Sequence, residues 1–347
     1  MKFDNTYFRD LEGFYASCDA VIPVNPKLIK FNNTLANELG LDITNLNLTA
    51  ICSGAVKPNG AETLAQAYAG HQFGNFSPQL GDGRALLLGE ILTPSGVRFD
   101  IQLKGSGPTV FSRNGDGKAG LGPVLREYLV AEAMHALGVP TARALAATTT
   151  GERIQRATAQ TGAVLTRTAS SHIRVGTFQF FAARQEVDKL RQLADYTINR
   201  HYPEATRSDN PYLKLLEYVT NNQAYLISKW MGIGFIHGVM NTDNVTLSGE
   251  TIDYGPCAFM DYYDANAVFS SIDKQGRYAY SNQPILARWN VARLAEALIP
   301  LIHKDADIAI EKATQIINNF SNIYESYWLK EMRRKFGFKT KKSNDTE

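Results

Sequence analysis

The sequence predicts an α+β fold in two lobes, a smaller one of strands followed by a larger and mostly helical one. Three observations predict it. Glycines crowd the stretch from about residue 64 to residue 122, at positions 70, 74, 81, 83, 89, 96, 105, 107, 115, 117, 120 and 122, and glycine gives the backbone conformations closed to other residues and lets a ligand approach the main chain. Within that stretch, two apolar or alternating segments flank a turn, the pattern of a hairpin. Beyond about Phe178 the spacing of apolar residues becomes helical.

The elements follow in order. Residues 1–60 alternate short apolar stretches with turn residues and form an N-terminal extension. A strand over 84–91 follows the Gly81-Asp82-Gly83 turn, and a second over 97–104 alternates apolar with polar residues. Thr93-Pro94-Ser95-Gly96 is turn chemistry between them. A helix is expected from Pro123, suited to a first helical position, to about Leu137. Leu125, Leu129, Ala133 and Leu137 recur every fourth residue along it, and Gly138 and Pro140 close it. Residues 163–168 read as a strand, and 187–202, 212–237 and 290–302 as helices. The expected organisation is therefore an extension over 1–60, a strand lobe over 61–180, a helical lobe over 181–330 and a polar, basic tail over 331–347. That tail holds Arg333-Arg334-Lys335 and Lys341-Lys342.

Composition narrows the function classes. Of 347 residues, 44% are hydrophobic and 20% charged, the profile of a globular chain and neither a disordered nor a collagen-like one. Lys plus Arg number 36 against 34 for Asp plus Glu, a net charge of +2, which gives no electrostatic reason to expect nucleic acid as a partner. Cys18, Cys52 and Cys257 form no CxxC pair, unlike a disulfide framework or a zinc site. No run of 18 apolar residues occurs, so no membrane partner is expected, and a cytoplasmic location is.

Four constellations could carry chemistry. Gly81-Asp82-Gly83-Arg84 can wrap phosphate oxygens with backbone N–H groups and a cation, although a GDG turn alone is more often just a hairpin. No Gly-x-x-x-x-Gly-Lys-Ser/Thr loop is present. Lys104 ends an alternating strand, and the following helix offers Glu127 and Glu132, a layout like the phosphate-pairing Lys and helix Glu of protein kinases. Glu127 shares a helix face with Ala131 and Met134. Arg167 and Arg174 flank Ser170-Ser171-His172 and could clamp a polyphosphate. The fourth constellation is decisive. His237-Gly238-Val239-Met240-Asn241-Thr242-Asp243-Asn244 has the His-to-Asn spacing of the kinase H-R-D-x-x-x-x-N loop, and Asp253-Tyr254-Gly255 stands in for D-F-G. Val239 occupies the place of the kinase's catalytic Asp, which leaves Asp243 as the carboxylate of the loop. The scaffold this predicts is protein-kinase-like and bilobal, with chemistry that need not be a kinase's.

These words resemble the selenoprotein O family of protein adenylyltransferases, pseudokinases that transfer AMP rather than phosphate. The resemblance runs over roughly residues 60–300, from Gln66-Ala67-Tyr68-Ala69-Gly70-His71-Gln72-Phe73-Gly74 through GDGRA, IQLKGSGPT, Arg113-Asn114-Gly115-Asp116-Gly117, REYLVAEAMHALGVPT and HGVMNTDN to DYGP. It implies ATP bound in a flipped orientation, with Gly81, Gly83, Arg84, Asp116 and Gly117 at the nucleotide. It further implies that Lys104, held by Glu127, grips the inward phosphates together with Arg167 and Arg174. Asn244 and Asp253 would hold Mg²⁺ or Mn²⁺, with Asp253 also facing ATP, and Asp243 would take the proton from the acceptor. The implied acceptors are Ser, Thr or Tyr hydroxyls of proteins. The resemblance also implies a further helical C-terminal region past the point where this chain ends, at Glu347, and a distant partner for Cys257. Two other readings keep the scaffold: a phosphotransferase, against which Val239 argues, and a nucleotide-binding regulator without turnover.

Overall fold

The computed structural model describes residues 1–340 and residue 342. Contacts divide the chain into two compact units. The first contains residues 1–69 and 77–172, and the second contains 70–76 and everything from Ile173 onward.

The first unit is built on an eight-stranded sheet. Its strands are β1 (Tyr15–Ser17), β2 (Lys27–Phe31) and β3 (Leu64–Gln66), then, past the short hairpin of β4 (Gly70–Gln72) and β5 (Asn75–Ser77), β6 (Ala85–Leu92), β7 (Arg98–Lys104), β8 (Ala119–Gly120), β9 (Arg143–Gln155) and β10 (Ala159–Ala169). The order is β1-β3-β6-β7-β10-β9-β2, with β8 paired to β10. The residues expected as an extension thus supply β1 at one edge and β2 at the other. The β6–β7 hairpin is antiparallel, with Ala85 opposite Lys104 and Leu92 opposite Arg98. Side chains alternate faces along a strand, so Ile101 and Leu103 enter the core with Leu86, Leu88, Leu145 and Val164, while Gln102 and Lys104 share the other face.

Helices α1 (Thr6–Asp10), α2 (Asn33–Glu38), α3 (Leu48–Ser53) and α4 (Leu121–Ala136) complete this unit. On α4 the buried face is Val124, Glu127, Tyr128, Ala131 and Met134. Glu127, Ala131 and Met134 thus share the inner face, while the four-residue series lies off it, with Leu129 66% and Leu137 50% exposed. The reason is geometric and chemical. Steps of four residues drift roughly 40° per step around a helix of 3.6 residues per turn, and the true inner face carries a charged residue whose partners lie on the sheet. β9 was not legible as a strand. Its Ala- and Thr-rich sequence is buried between β10 and β2 by pairing rather than by its own hydrophobicity.

The second unit is mainly helical, with α5 (Val175–Ala182), α6 (Val187–His201), α7 (Pro211–Gly232), α8 (Gln283–Ile302) and α9 (Ala306–Phe336). Asn210 caps α7 by accepting from the Leu213 N–H at 3.0 Å, and Pro211 takes the first helical position. α7 stops at Gly232 rather than running to His237. Gly234 has φ +68, and Phe235–Ile236 (β11) then pairs antiparallel with Ala258–Phe259 (β12). α8 begins earlier than Asn290, which is interior and donates Nδ2 to the Met240 carbonyl at 3.0 Å. The tail expected from residue 331 is helical through Phe336, and within it Glu331 is buried against Lys229 of α7 at 2.5 Å. A buried carboxylate with an ammonium partner belongs to a packed seam, which corrects the reading of this segment as solvated. Lys341 and residues 343–347 lie outside the described residues.

Candidate active site

The sequence-predicted residues gather in two sets, one in each unit. In the first unit, the pairing of β7 with β10 sets Arg167 opposite Gln102. Lys104 lies two residues on from Gln102, so all three side chains leave the same face of the sheet. Glu127 of α4 meets them there: its Oε2 is 2.7 Å from Lys104 Nζ and its Oε1 is 2.9 Å from Arg167 Nη1. Gln102 Oε1 accepts from Arg167 Nε at 2.9 Å and from Nη2 at 2.7 Å, while its Nε2 donates to Asp82 Oδ2 at 3.1 Å. All of these side chains are buried. Lys104 and Arg167 share the Glu127 carboxylate, and an ammonium and a guanidinium are groups suited to phosphate oxygens. Glu132, the other helix carboxylate, faces elsewhere and accepts from Arg143 at 2.9 and 2.8 Å.

Gln102 joins this cluster to the Gly-Asp-Gly turn, because Asp82 Oδ2 also accepts from the Gln66 N–H. The turn is covered by the loop that follows β7. A Cβ on Gly81 would stand 2.3 Å from the Phe111 ring, and one on Gly83 would stand 2.8 Å from the Phe111 carbonyl oxygen. Gly117 has φ +63 and crosses the backbone of Gly107, whose oxygen a Cβ there would approach to 2.0 Å. Close packing therefore requires these three glycines, against a side-chain ring at Gly81 and against backbone at Gly83 and Gly117. Arg84 is exposed and makes no ion pair among the described residues. Asp116 is not part of the cluster. Arg156 grips it bidentately, at 2.8 Å on each oxygen, and holds its carboxyl below the usual carboxylate range.

In the second unit the chain leaving β11 forms the loop that holds Asp243 and Asn244. His237 organises it. Its Nε2 lies 2.9 Å from the Ile252 carbonyl and its Nδ1 lies 3.3 Å from the Val239 N–H, which fixes the Nε2–H tautomer because a carbonyl only accepts. The ring stacks on Trp230 at 5.3 Å. His237 thereby ties the loop to the strand of chain that carries Asp253. Residues 173–175 pair with 245–247 through the Leu247 N–H to the Ile173 carbonyl and the Val175 N–H to the Val245 carbonyl, both 2.9 Å. That pairing seats Arg174, 1% exposed, with Nη2 3.9 Å from Asp253 Oδ2.

Asp253 has φ +61, a left-handed conformation that Asp tolerates better than most residues. Asp243 is half-buried with its Oδ1 fully covered, and burial pushes its carboxyl up to about 6. Arg174, its own backbone N–H and Gln72 pull it down, while the nearby Asp253 adds to the rise. The donor set fits a hard divalent cation. Asn244 commits its Nδ2 to the Val239 carbonyl at 2.9 Å, so its amide oxygen is the atom that could serve as a ligand together with the Asp253 carboxylate. No cluster of three or more His, Cys, Asp or Glu side chains forms a metal cage among the described residues. One carboxylate and one amide oxygen, completed by water and phosphate, is the usual mode for Mg²⁺.

Sequence reasoning missed Gln102 and Gln72. The alternation that places Lys104 on its face places Gln102 there too, so Gln102 could have been found. Gln72 could not, since its partner Asp243 lies 171 positions away in the sequence. Of the three cysteines, none forms a disulfide among the described residues. No helix among those residues is long and apolar enough to cross a membrane.

The family described as "Protein adenylyltransferase SelO" matches residues 1–347. A protein nucleotidyltransferase YdiU from Sphingopyxis alaskensis is 58% identical over 99% of this chain and 72% of its own length. One from Agrobacterium fabrum is 58% identical over 100% and 72%, and one from Cereibacter sphaeroides is 60% identical over 97% and 70%. A match over the whole chain, together with relatives this similar, establishes that the chain belongs to the SelO/YdiU family of protein nucleotidyltransferases.

Proposed function

We propose that this chain transfers AMP from ATP to Ser, Thr or Tyr hydroxyls of proteins, with Mg²⁺ or Mn²⁺ bound, on a protein-kinase-like scaffold whose two units serve as its lobes. The observation that carries the reading is the half-buried carboxylate of Asp243 beside Asn244, in a loop where Val239 stands at the kinase base position. A buried carboxyl raised toward neutrality is matched to proton transfer near physiological pH. Lys104, Arg167 and Arg174 neutralise phosphate charge, which matters most for a departing pyrophosphate. The flipped orientation of ATP places its terminal phosphates against these cations and presents the α-phosphorus to the acceptor. Asn244 and Asp253 hold the cation, which when bound supplies further positive charge to the phosphates. Gly81, Gly83, Arg84, Asp116 and Gly117 are assigned to the nucleotide's surroundings, the glycines by shaping the backbone and Asp116 by holding Arg156.

The test is parallel incubation with α-labelled and γ-labelled ATP, using the proteins of a bacterial lysate as acceptors, beside Asp243→Ala. The expected result is α label on protein, no γ label, and loss of transfer in the variant. Transfer of γ label would establish a phosphotransferase instead. ATP binding without either label would establish a regulator without turnover.

A further inference from the structure

Residues 70–76 lie in sequence between two segments of the first unit, yet they belong to the second. Their hydrogen bonds go to three consecutive residues of the candidate base loop. The His71 N–H donates to Thr242 Oγ1 at 2.7 Å, Thr242 Oγ1 donates to Gln179 Oε1 at 2.6 Å, and Gln179 Nε2 donates to His71 Nδ1 at 2.9 Å, which closes a ring. The Phe73 N–H is shared between Asn241 Oδ1 and the Tyr278 hydroxyl, each at 3.1 Å. Between these two anchors, Gln72 sends Nε2 to Asp243 Oδ2 at 3.3 Å. Asp243 Oδ1 is buried and takes no hydrogen bond from another described residue. Apart from its own backbone N–H, the carboxylate's hydrogen-bond donor among the described residues is the Gln72 amide, and such a donor helps to orient a short side chain.

We propose that Gln72 is a positioning residue for Asp243: its amide pins Oδ2 and leaves Oδ1 as the oxygen that receives the acceptor's proton. This rests on the assignment of Asp243 as the base. In the step it serves, the acceptor oxygen bonds to the α-phosphorus and its proton passes to Oδ1. The bond between the α-phosphorus and the bridging oxygen breaks, and its electron pair leaves with pyrophosphate. The backbone anchors at His71 and Phe73 hold the hairpin in place whatever side chain stands at position 72, so the amide's contribution is separable from that of the fold.

The test is Gln72→Leu, assayed with α-labelled ATP and the proteins of a bacterial lysate as mixed acceptor, beside wild type and Asp243→Ala. The expected result is an apparent kcat lowered between about 10- and 100-fold, with apparent KM for ATP within about twofold of wild type and an unchanged thermal midpoint. Should leucine upset the hairpin, Gln72→Met, unbranched and matched in length, carries the same measurement. An unchanged kcat, or a raised KM with a lowered thermal midpoint and kcat retained, overturns the positioning role. Wild-type protein that transfers no α label overturns the functional reading itself, a distinct outcome.

Discussion

Glu127 and Lys104 form a buried ion pair, 2.7 Å from Oε2 to Nζ, and the second oxygen of the same carboxylate holds Arg167. One carboxylate therefore answers two cations. Glu127→Ala removes the carboxylate that both cations share, and removing one partner of a buried pair costs about 3–5 kcal/mol. Lys104→Met leaves Glu127 still matched by Arg167. Urea unfolding should therefore show a larger loss for Glu127→Ala than for Lys104→Met, and the reverse order would show that the carboxylate is not the hub.

The left-handed backbone at Asp253 separates charge from conformation. Asn accepts that conformation almost as well as Asp, whereas Ala adds strain of about 1 kcal/mol. Asp253→Asn is expected to lower AMP transfer at least about 100-fold with the thermal midpoint kept. Asp253→Ala should lose activity equally and some stability as well. Substantial transfer by either variant with ATP and Mn²⁺ would remove Asp253 from the metal assignment.

Acid stability has an identifiable contributor in Glu132. Burial alone would raise its carboxyl, but hydrogen bonds from Arg143, the Ala144 N–H and Asn32 hold it below the ordinary glutamate value. A group whose folded value is depressed adds stability above its unfolded value, about 4.3, and that stability is lost as pH falls through the folded value. Unfolding midpoints followed from pH 6 down to pH 3 should fall less steeply for Glu132→Gln than for wild type. Parallel curves would assign the acid limb to other carboxylates.

The seam between α7 and α9 rests on Lys229 and Glu331, each about 10% exposed at the side chain. Glu331→Ala strands a buried ammonium and should cost about 3 kcal/mol in urea unfolding. Replacing both residues, as Lys229→Met with Glu331→Leu, should recover most of that loss. A double variant as unstable as the single one would mean that helix packing, not charge, sets the cost.

How much was legible follows from the range of each interaction. The β6–β7 hairpin could be read because alternation and turn chemistry are local. α4 could be placed, and Glu127 set on one face with Ala131 and Met134, but apolar periodicity is blind to a charge buried beside its partners, so that the face is the inner one came only with the sheet. β9 and α9 carried weak local signals. β9 is buried by strands on both sides, and α9 buries only Ala309, Ala313, Phe320 and Glu331 along its length. At the candidate site, the order and spacing of His237, Asn244 and Asp253 singled out the loop before any contact was known. What spacing could not supply was division of labour: that Asp116 belongs to Arg156, that Gln102 bridges Arg167 to the Gly-Asp-Gly turn, and that position 72 reaches position 243.

That last reach orders events during synthesis. His71 and Thr242 are 171 positions apart, an interval of roughly 10–30 s at common translation speeds. Throughout it the hairpin's anchoring N–H groups lack their partners in the base loop, whereas the sheet has every strand it needs once Ala169 has been made. A gene fragment ending after His172 would make a polypeptide able to complete its sheet but carrying a loop with nowhere to dock. Supplying residues 173–347 in trans should shield that loop from proteases.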